Sequence, residues 1–255
     1  MDRAPADPAR DHFSPQAADY AVFRPRYPAA FVAHLASLAP AHDVAWDVGT
    51  GNGQAAVLLT DHFRRVHATD ASDRQLQHAT RHPRVEYLVA PAESSGLPEA
   101  SVDLVTIAQA LHWFEPRSFH AEVARVLRPS GVIAAWSYGM VAVDAAVDRI
   151  VDWFYRERVG RYWPAERQHI ETGYADLPFP YDEVSVGDWR IDAMLSRVQL
   201  AGYIGTWSAL RHARDAELHD PLIEFIARLH EVWPGDERRA ASWPMIARVG
   251  RRRSP

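Results

Sequence analysis

Short apolar runs alternate with helix-like segments through the middle of this 255-residue chain. Runs of five to nine residues rich in Val, Ile and Ala are typical of buried strands, whereas the segments between them carry apolar residues at helical spacing. The predicted strands are VAWDVG (44–49), RVHATD (65–70), VEYLVA (85–90), VDLVTIAQA (102–110) and GVIAAWSY (131–138), and the helices between them are QAAVLLTDHF (54–63), SDRQLQHAT (72–80) and SFHAEVARVL (118–127). Strands that alternate with helices predict a parallel sheet covered on both faces, which is a doubly wound α/β fold.

The flanking segments follow a less regular pattern. Residues 29–38 predict a helix that ends before Pro40, and residues 143–159 predict an amphipathic helix that leads into an aromatic, Pro-punctuated cap. Further predicted elements are a strand over 183–191, helices over 191–204 and 221–233, and a final strand over 241–250. We therefore predict three regions: an N-terminal arm and first helix acting as a lid (1–40), the sheet core (41–140), and a helical cap with C-terminal strands that complete the sheet (141–255).

Two missing residue types exclude much enzyme chemistry. Cysteine is absent, which excludes disulfides, thiolate metal sites and cysteine nucleophiles. All 28 residues in the Lys+Arg count are arginine, so Schiff-base chemistry, pyridoxal phosphate linkage and the P-loop lysine are excluded as well.

Charge and hydropathy narrow the choice of partners. The formal charge is −5, with no extended basic stripe before the last few residues, so nucleic acid is not an expected partner. No apolar run approaches the roughly 20 residues that cross a bilayer, and the N-terminal residues lack the apolar region of a secretory signal. We expect a soluble cytoplasmic protein without a membrane partner, as a monomer or a homodimer.

A glycine-rich turn, DVGTGNGQ (47–54), follows the first predicted strand. Gly49 permits a tight turn, Gly51 allows a ligand close to the backbone, and Gly53 lets the next helix lie against the strand. The spacing differs from the Gly-x-Gly-x-x-Gly of dinucleotide sites, and Asp47 would repel a pyrophosphate but attract an amino group. The turn therefore favours the amino-acid end of a ligand, although a purely structural turn is an alternative.

Asp70 ends the second predicted strand about 20 residues after the glycine turn. An acidic side chain at this position can accept hydrogen bonds from both hydroxyls of a ribose. Such a carboxylate would suit either a dinucleotide or an adenosyl-methionine ligand, and the alternative is a helix cap.

Several ordered motifs together resemble a known family. DVGTGNGQ, Asp70, PAESSGLPEASVDLV (91–105), QALHWF (109–114) and EVARVLRPSGVIAAW (122–136) resemble the core of class I S-adenosyl-L-methionine-dependent methyltransferases. The resemblance is greatest to the type-11 small-molecule group, which includes trans-aconitate methyltransferases. It extends to the arm YAVFRPRYP and, more weakly, to GYIGTWSALR (202–211). It implies the Rossmann-like methyltransferase fold with a mostly parallel seven-stranded sheet, S-adenosyl-L-methionine as cofactor, S-adenosyl-L-homocysteine as product and a small-molecule methyl acceptor.

The resemblance also implies cofactor contacts, carried over position by position. Asp47 would lie near the amino end of the cofactor and Asp70 would hold the ribose. The other implied contacts are Gly49, Thr50 and Gly51 along the methionine part, Ala71, Ala92 and Glu93 around the adenine, and Gln109 and Trp113 near the reactive end. Ordinary core packing is an equal alternative for Ala71.

Acceptor residues are harder to choose from sequence. His112 is the best candidate for a general base, although it could equally pack against the cofactor. Arg24 and Tyr20 belong to the arm, where an arginine could hold an acceptor carboxylate by two hydrogen bonds and aromatic rings could exclude water. Further candidates for the acceptor pocket are Trp136, Tyr138, Trp163 and Trp207. We favour a carboxylate acceptor slightly over a hydroxyl or an amine, and methylation of a carboxylate needs no general base.

Two other functions stay open at this point. One is a binding or regulatory protein that keeps the cofactor pocket without catalysis. The other is a nicotinamide-dependent oxidoreductase, against which the glycine spacing and the missing Tyr-x-x-x-Lys pair both argue.

Overall fold

A computed structural model describes residues 23–252 of the chain. The strands are β1 (Val44–Val48), β2 (Arg65–Asp70), β3 (Val85–Val89), β4 (Val102–Ala108), β5 (Leu127–Tyr138), β6 (Asp182–Glu183), β7 (Arg190–Leu195) and β8 (Arg239–Arg251). The α-helices are α1 (Ala29–Ser37), α2 (Gln54–Leu59), α3 (Asp73–Gln77), α4 (Pro116–Val126), α5 (Ala145–Trp153), α6 (Arg167–Glu171), α7 (Arg197–Gly205), α8 (Ser208–Ala216) and α9 (Pro221–Val232). All five strands expected between residues 44 and 138 are present.

One mixed sheet organises the molecule. Its order is β3-β2-β1-β4-β5-β8-β6, with β7 also paired to β8, and the first five strands are parallel. Strand β8 runs antiparallel to β5. This confirms the prediction of a final strand that joins the sheet. The doubly wound fold class is confirmed. The sheet has eight strands rather than the predicted seven, because both β6 and β7 pair with the long β8.

Alternating side chains of the central strands build a core on each face of the sheet. Trp46 and Val105 pack with Phe119 of α4 on one face. Ala45 and Leu104, one position earlier in each strand, pack on the other face with α1 and α2. Successive side chains of a strand point to opposite faces, so nearly continuous apolar strands bury both.

The predicted order of strand and helix after residue 182 was partly wrong. Within the expected strand 183–191, Glu183 pairs with β8 as the end of β6, and Arg190 and Ile191 pair with it as the start of β7. Residues 184–189 belong to no strand, and Gly187, with a φ of 72°, lies among them. The expected helix over 191–204 begins only at Arg197, after Ser196 forms a capping box with Gln199. Residues 190–195 form β7 instead, because β8 is long enough to offer a second pairing edge that local periodicity does not reveal.

The predicted amphipathic helix over 143–159 is shorter and less regular than expected. Asp144 accepts hydrogen bonds from the backbone N–H groups of Ala146 and Val147, so α5 begins at Ala145. The following turn, Phe154–Arg158, widens to a π-helix. None of the helices within residues 23–252 combines the length and the apolar character needed to cross a membrane.

We predict that Asp103 is a main anchor of the sheet. Its buried carboxylate accepts from the backbone N–H groups of Asp43 and Val44 at 3.0 and 2.9 Å and from Arg128 Nη1 at 2.7 Å, which joins β1, β4 and β5. Asp103→Ala leaves these donors unpaired and should lower the free energy of unfolding by about 3 kcal/mol in urea denaturation. The exposed Asp152, paired with Arg156, is the control. Equal effects of Asp103→Ala and Asp152→Ala would contradict this account.

Candidate active site

The glycine turn lies at the carboxyl end of β1, where the strand order reverses between β1 and β4. Open α/β sheets bind ligands at this point. The φ of Gly51 is 57°, in the left-handed region, and a Cβ placed there would meet nothing closer than Gln75 Oε1 at 3.9 Å. At Gly53, with a φ of 83°, a Cβ would lie 2.2 Å from Tyr87 Oη. Glycine is therefore required at residue 53 by packing, whereas residue 51 presents bare backbone to open space.

Asp47 lies beneath the turn instead of facing a ligand. Its side chain is fully buried and accepts hydrogen bonds from Thr50 Oγ1 at 2.5 Å and from Thr106 Oγ1 at 2.7 Å. Burial raises the pKa of this carboxyl to about 6, and these hydrogen bonds oppose the rise. The expected direct contact of Asp47 with a ligand does not match this position, because its hydrogen bonds hold the turn to β4.

Asp70 connects the turn with the end of β2. Its Oδ2 accepts from the backbone N–H of Gly51 and its Oδ1 from that of Ser72, both at 2.8 Å. A carboxylate has about four lone-pair sites, so each oxygen can accept a second hydrogen bond. The carboxylate is therefore both a support for the turn and an acceptor at the edge of the cavity described next.

A cavity of about 310 Å³ opens above the turn, and we call it the first cavity. Nine of the ten residues predicted to contact a cofactor line it: Gly49, Thr50, Gly51, Asp70, Ala71, Ala92, Glu93, Gln109 and Trp113. Asp47 is the exception. Sequence reasoning missed Tyr27, Gln75, Phe114 and Glu166, which also line this cavity. Glu166 belongs to the predicted cap, but no local motif marks it as a residue that lines the cavity.

A smaller cavity of about 60 Å³, the second cavity, adjoins the first. The two share Gln109 and Trp113 as lining residues. The second cavity is further lined by Arg24, His112, Tyr138, Trp163, Pro164, Arg167, Ile170, Tyr203, Trp207 and Ser208. It thus combines residues from the segment before α1, the sheet core, the cap and the C-terminal helices.

Gln109 stands at the junction of the two cavities in a strained conformation. Its φ is 61°, which is uncommon for a residue with a side chain. Ser137 Oγ donates to its Oε1 at 3.1 Å, but its buried Nε2 has no hydrogen-bond partner among the described residues. A buried donor without a partner is energetically costly. This amide N–H therefore indicates where an acceptor atom of a ligand would lie.

His112 lies in the wall of the second cavity with an altered basicity. Its Nδ1 is 3.3 Å from Tyr174 Oη. Burial, with smaller contributions from the charges of Arg167 and His169, lowers the pKa of His112 to about 3. The imidazole is therefore neutral at physiological pH and a weak proton acceptor.

The remaining acceptor candidates are distributed unevenly. Arg24 lines the second cavity, and Tyr20 lies outside the described residues. Tyr138, Trp163 and Trp207 line the second cavity as expected. Trp136 does not, because its ring is fully buried against Tyr27 and Phe31 on the α1 face of the sheet.

Fold and site together define a Rossmann-like ligand-binding protein of the nucleotide type, and the comparisons narrow this class. Residues 46–135 match a family model described as methyltransferase domain. A relative from Dictyostelium discoideum, assigned as a methyltransferase, is 31% identical over 239 residues, covering 89% of each chain. A solved structure from Anaeromyxobacter dehalogenans, assigned as a type II methyltransferase, has 45% identity, a TM-score of 0.85 and coverage of 90% of this chain and 98% of its own. The chain belongs to the class I S-adenosyl-L-methionine-dependent methyltransferases.

The chain is thus an enzyme that uses S-adenosyl-L-methionine, and the first cavity suits this cofactor chemically. Bare backbone at Gly51, the carboxylate of Asp70 and the amide nitrogen of Gln109, which has no hydrogen-bond partner within residues 23–252, lie around one space. In that order, these groups suit the amino-acid end of the cofactor, its ribose and a polar atom of a ligand near the second cavity. Membership of this family excludes the alternative of a nicotinamide-dependent oxidoreductase.

Asp47 should make stability depend on pH. The carboxyl is protonated in both folded and unfolded states below pH 3.8, whereas above about pH 6 its buried charge opposes folding. Relative to Asp47→Asn, the wild type should lose about 2 kcal/mol of unfolding free energy between pH 4 and pH 7, as followed by chemical denaturation. The same comparison with Asp61→Asn, at an exposed position, controls for general charge effects. Parallel pH curves for the wild type and Asp47→Asn would refute the buried-carboxylate account.

Proposed function

We propose that the enzyme methylates the carboxylate of a small molecule bound in the second cavity. The observation that carries this proposal is the charge of that cavity: two arginines line it, and no Asp or Glu does so within residues 23–252. A guanidinium recognises a carboxylate by charge and by two parallel hydrogen bonds. A cationic amine would be repelled by the same two arginines.

The cofactor arrangement that we propose follows the lining of the first cavity. The methionine part lies along Gly49, Thr50 and Gly51, and the ribose hydroxyls donate to the carboxylate of Asp70, which lines the same cavity. The adenine lies among Ala71, Ala92 and Glu93, whose backbone and side chains border the same space. The reactive end then points toward Gln109 and Trp113, where the first cavity meets the second.

For methyl transfer, the protein mainly has to align the donor with the acceptor and to exclude water. When bound, S-adenosyl-L-methionine supplies an electrophilic methyl carbon and a good leaving group. The aromatic rings of Trp113, Trp163 and Trp207 around the second cavity keep water away from an acceptor oxygen held in line. A carboxylate is already deprotonated, so no base is needed.

The position of His112 bears on the competing acceptor class. A hydroxyl acceptor would need a general base, and His112 is the histidine that lines the second cavity. A pKa of about 3 makes this imidazole a poor base near pH 7. We therefore assign His112 to the wall of the cavity and keep the carboxylate as the acceptor. The small-molecule type-11 group, with its trans-aconitate methyltransferases, is the part of the sequence resemblance that agrees with this proposal.

Asp70→Ala should weaken binding of S-adenosyl-L-homocysteine at least tenfold in isothermal titration calorimetry. The variant removes acceptors for the ribose and also releases the N–H of Gly51 that Asp70 holds at 2.8 Å. Asp61→Ala removes an exposed carboxylate elsewhere and should leave the affinity unchanged. Unchanged binding in Asp70→Ala would overturn the proposed cofactor arrangement.

Labelled S-adenosyl-L-methionine should transfer its methyl group to small carboxylic acids, forming esters that alkali cleaves. Because no group of the second cavity needs to lose a proton and Asp47 is ionised above its pKa of about 6, kcat/KM should stay flat from pH 7 to pH 8. Matched amines and alcohols of the same size serve as controls. Transfer to amines or alcohols but to no acid would contradict the carboxylate assignment.

A further inference from the structure

We propose that Arg167, carried by the cap, is the residue that binds the acceptor carboxylate, and that Arg24 instead holds the wall of the second cavity together. This inference rests on the proposed function. It assigns different roles to the two arginines of one cavity, of which only Arg24 was a candidate from the sequence.

Aromatic rings orient the side chain of Arg167. Its guanidinium carbon lies 5.0 Å from the ring centroid of Trp163 and 5.6 Å from that of Tyr155. Arg167 Nε donates to Tyr155 Oη at 3.1 Å, and the Tyr155 hydroxyl in turn donates to Glu171 Oε1. Contacts of this kind limit the rotamers of a long side chain, so less entropy is lost when it binds an anion.

The donors of Arg167 are only partly used. Of its five N–H groups, the one on Nε has the Tyr155 hydroxyl as partner, and neither terminal nitrogen hydrogen-bonds or ion-pairs within residues 23–252. Those terminal nitrogens form the side of the guanidinium that suits a carboxylate in a two-pronged contact. The side chain is half-buried and lines the second cavity, so its unused donors are available there.

The electrostatics of the cavity agree with this role. The positive charge of Arg167 contributes to the lowered pKa of His112, which lines the same cavity. The carboxylate of Glu171 accepts from the Tyr155 hydroxyl, and Glu166 lines the first cavity instead of the second. An acceptor carboxylate would thus supply the anion that the lining lacks.

Arg24 makes structural contacts with both of its terminal nitrogens. Nη1 donates to Tyr138 Oη at 2.8 Å and Nη2 donates to the carbonyl oxygen of Thr206 at 3.2 Å. Its guanidinium carbon also lies 5.7 Å from the ring centroid of Tyr203. Arg24 therefore joins the segment before α1 to the end of β5 and to α7, and its loss should disturb the cavity for any occupant.

The transfer itself changes the charge that Arg167 would meet. A lone pair of the acceptor carboxylate oxygen forms the new C–O bond, and the electrons of the broken C–S bond stay on sulfur. No proton moves, and the anionic acid becomes a neutral ester. Arg167 should thus bind the acid more tightly than its methyl ester, which favours release of the product.

Calorimetric titration of acids and esters tests this assignment. Sodium acetate, benzoate and phenylacetate, each matched with its methyl ester, are titrated into protein saturated with S-adenosyl-L-homocysteine. In the wild type at least one acid should bind tenfold or more tightly than its ester. Arg167→Gln should lower the affinity for that acid at least tenfold and that for the ester less than threefold. Arg167→Lys should fall between the two, because an ammonium keeps the charge but loses the fork.

Two further variants separate binding from structure. Arg24→Gln should weaken acid and ester to a similar extent, and Arg156→Gln, which removes an exposed charge of the same cap, should change neither. Unchanged affinity for S-adenosyl-L-homocysteine shows that each variant is folded. If the wild type prefers no acid over its ester, the carboxylate proposal itself fails. If the wild type prefers the acid and Arg167→Gln keeps that preference, the role of Arg167 alone is refuted.

Discussion

The buried carboxylate of Asp47 is the interaction on which the site depends. It holds Thr50 of the glycine turn and Thr106 of β4 by hydrogen bonds of 2.5 and 2.7 Å, at the point where the strand order reverses. The backbone N–H of Thr50 also donates to the carbonyl of Thr69 at the end of β2. Three neighbouring strands are thereby joined to one turn, so the backbone of Gly51 and the carboxylate of Asp70 keep a fixed relation. Burial of Asp47 is unfavourable for its charge, and the hydrogen bonds from Thr50 and Thr106 partly offset this cost.

The same edge of the sheet fixes the position of the first cavity relative to the second. Gln109 directly follows β4, adopts a positive φ and lines both cavities. The cap supplies neighbouring residues to each cavity, since Glu166 borders the first and Arg167 the second. Under the proposed function, one rigid sheet edge aligns donor and acceptor, while the cap selects the acceptor by charge. This division explains why the core carries the family motifs and the cap carries the proposed specificity.

Local sequence pattern was sufficient for the core but not for the cap. Strands β1 to β4 and the glycine turn were predictable because each depends on neighbouring residues: apolar runs, positive-φ glycines and an acidic strand end. The burial of Asp47 beneath the turn was not predictable, because a carboxylate beside a glycine turn can face either side, and Thr106, 59 residues further along the chain, helps to hold it there. Arg167 was missed since its importance comes from Trp163, Tyr155 and a cavity formed by four separate segments. For the same reason β7 was mistaken for helix, because its partner β8 lies about fifty residues further along the chain.

A crystal structure of the complex with S-adenosyl-L-homocysteine tests the central claim most directly, namely that donor and acceptor meet where the first and second cavities join. The account predicts ribose hydroxyls on the Asp70 carboxylate, the amino-acid end along Gly49 to Gly51, and the thioether sulfur beside Gln109 and Trp113, facing the second cavity. The anomalous signal of that sulfur would locate it independently of the surrounding density. A sulfur that faces away from the second cavity, or a ligand bound outside the first cavity, would contradict the account.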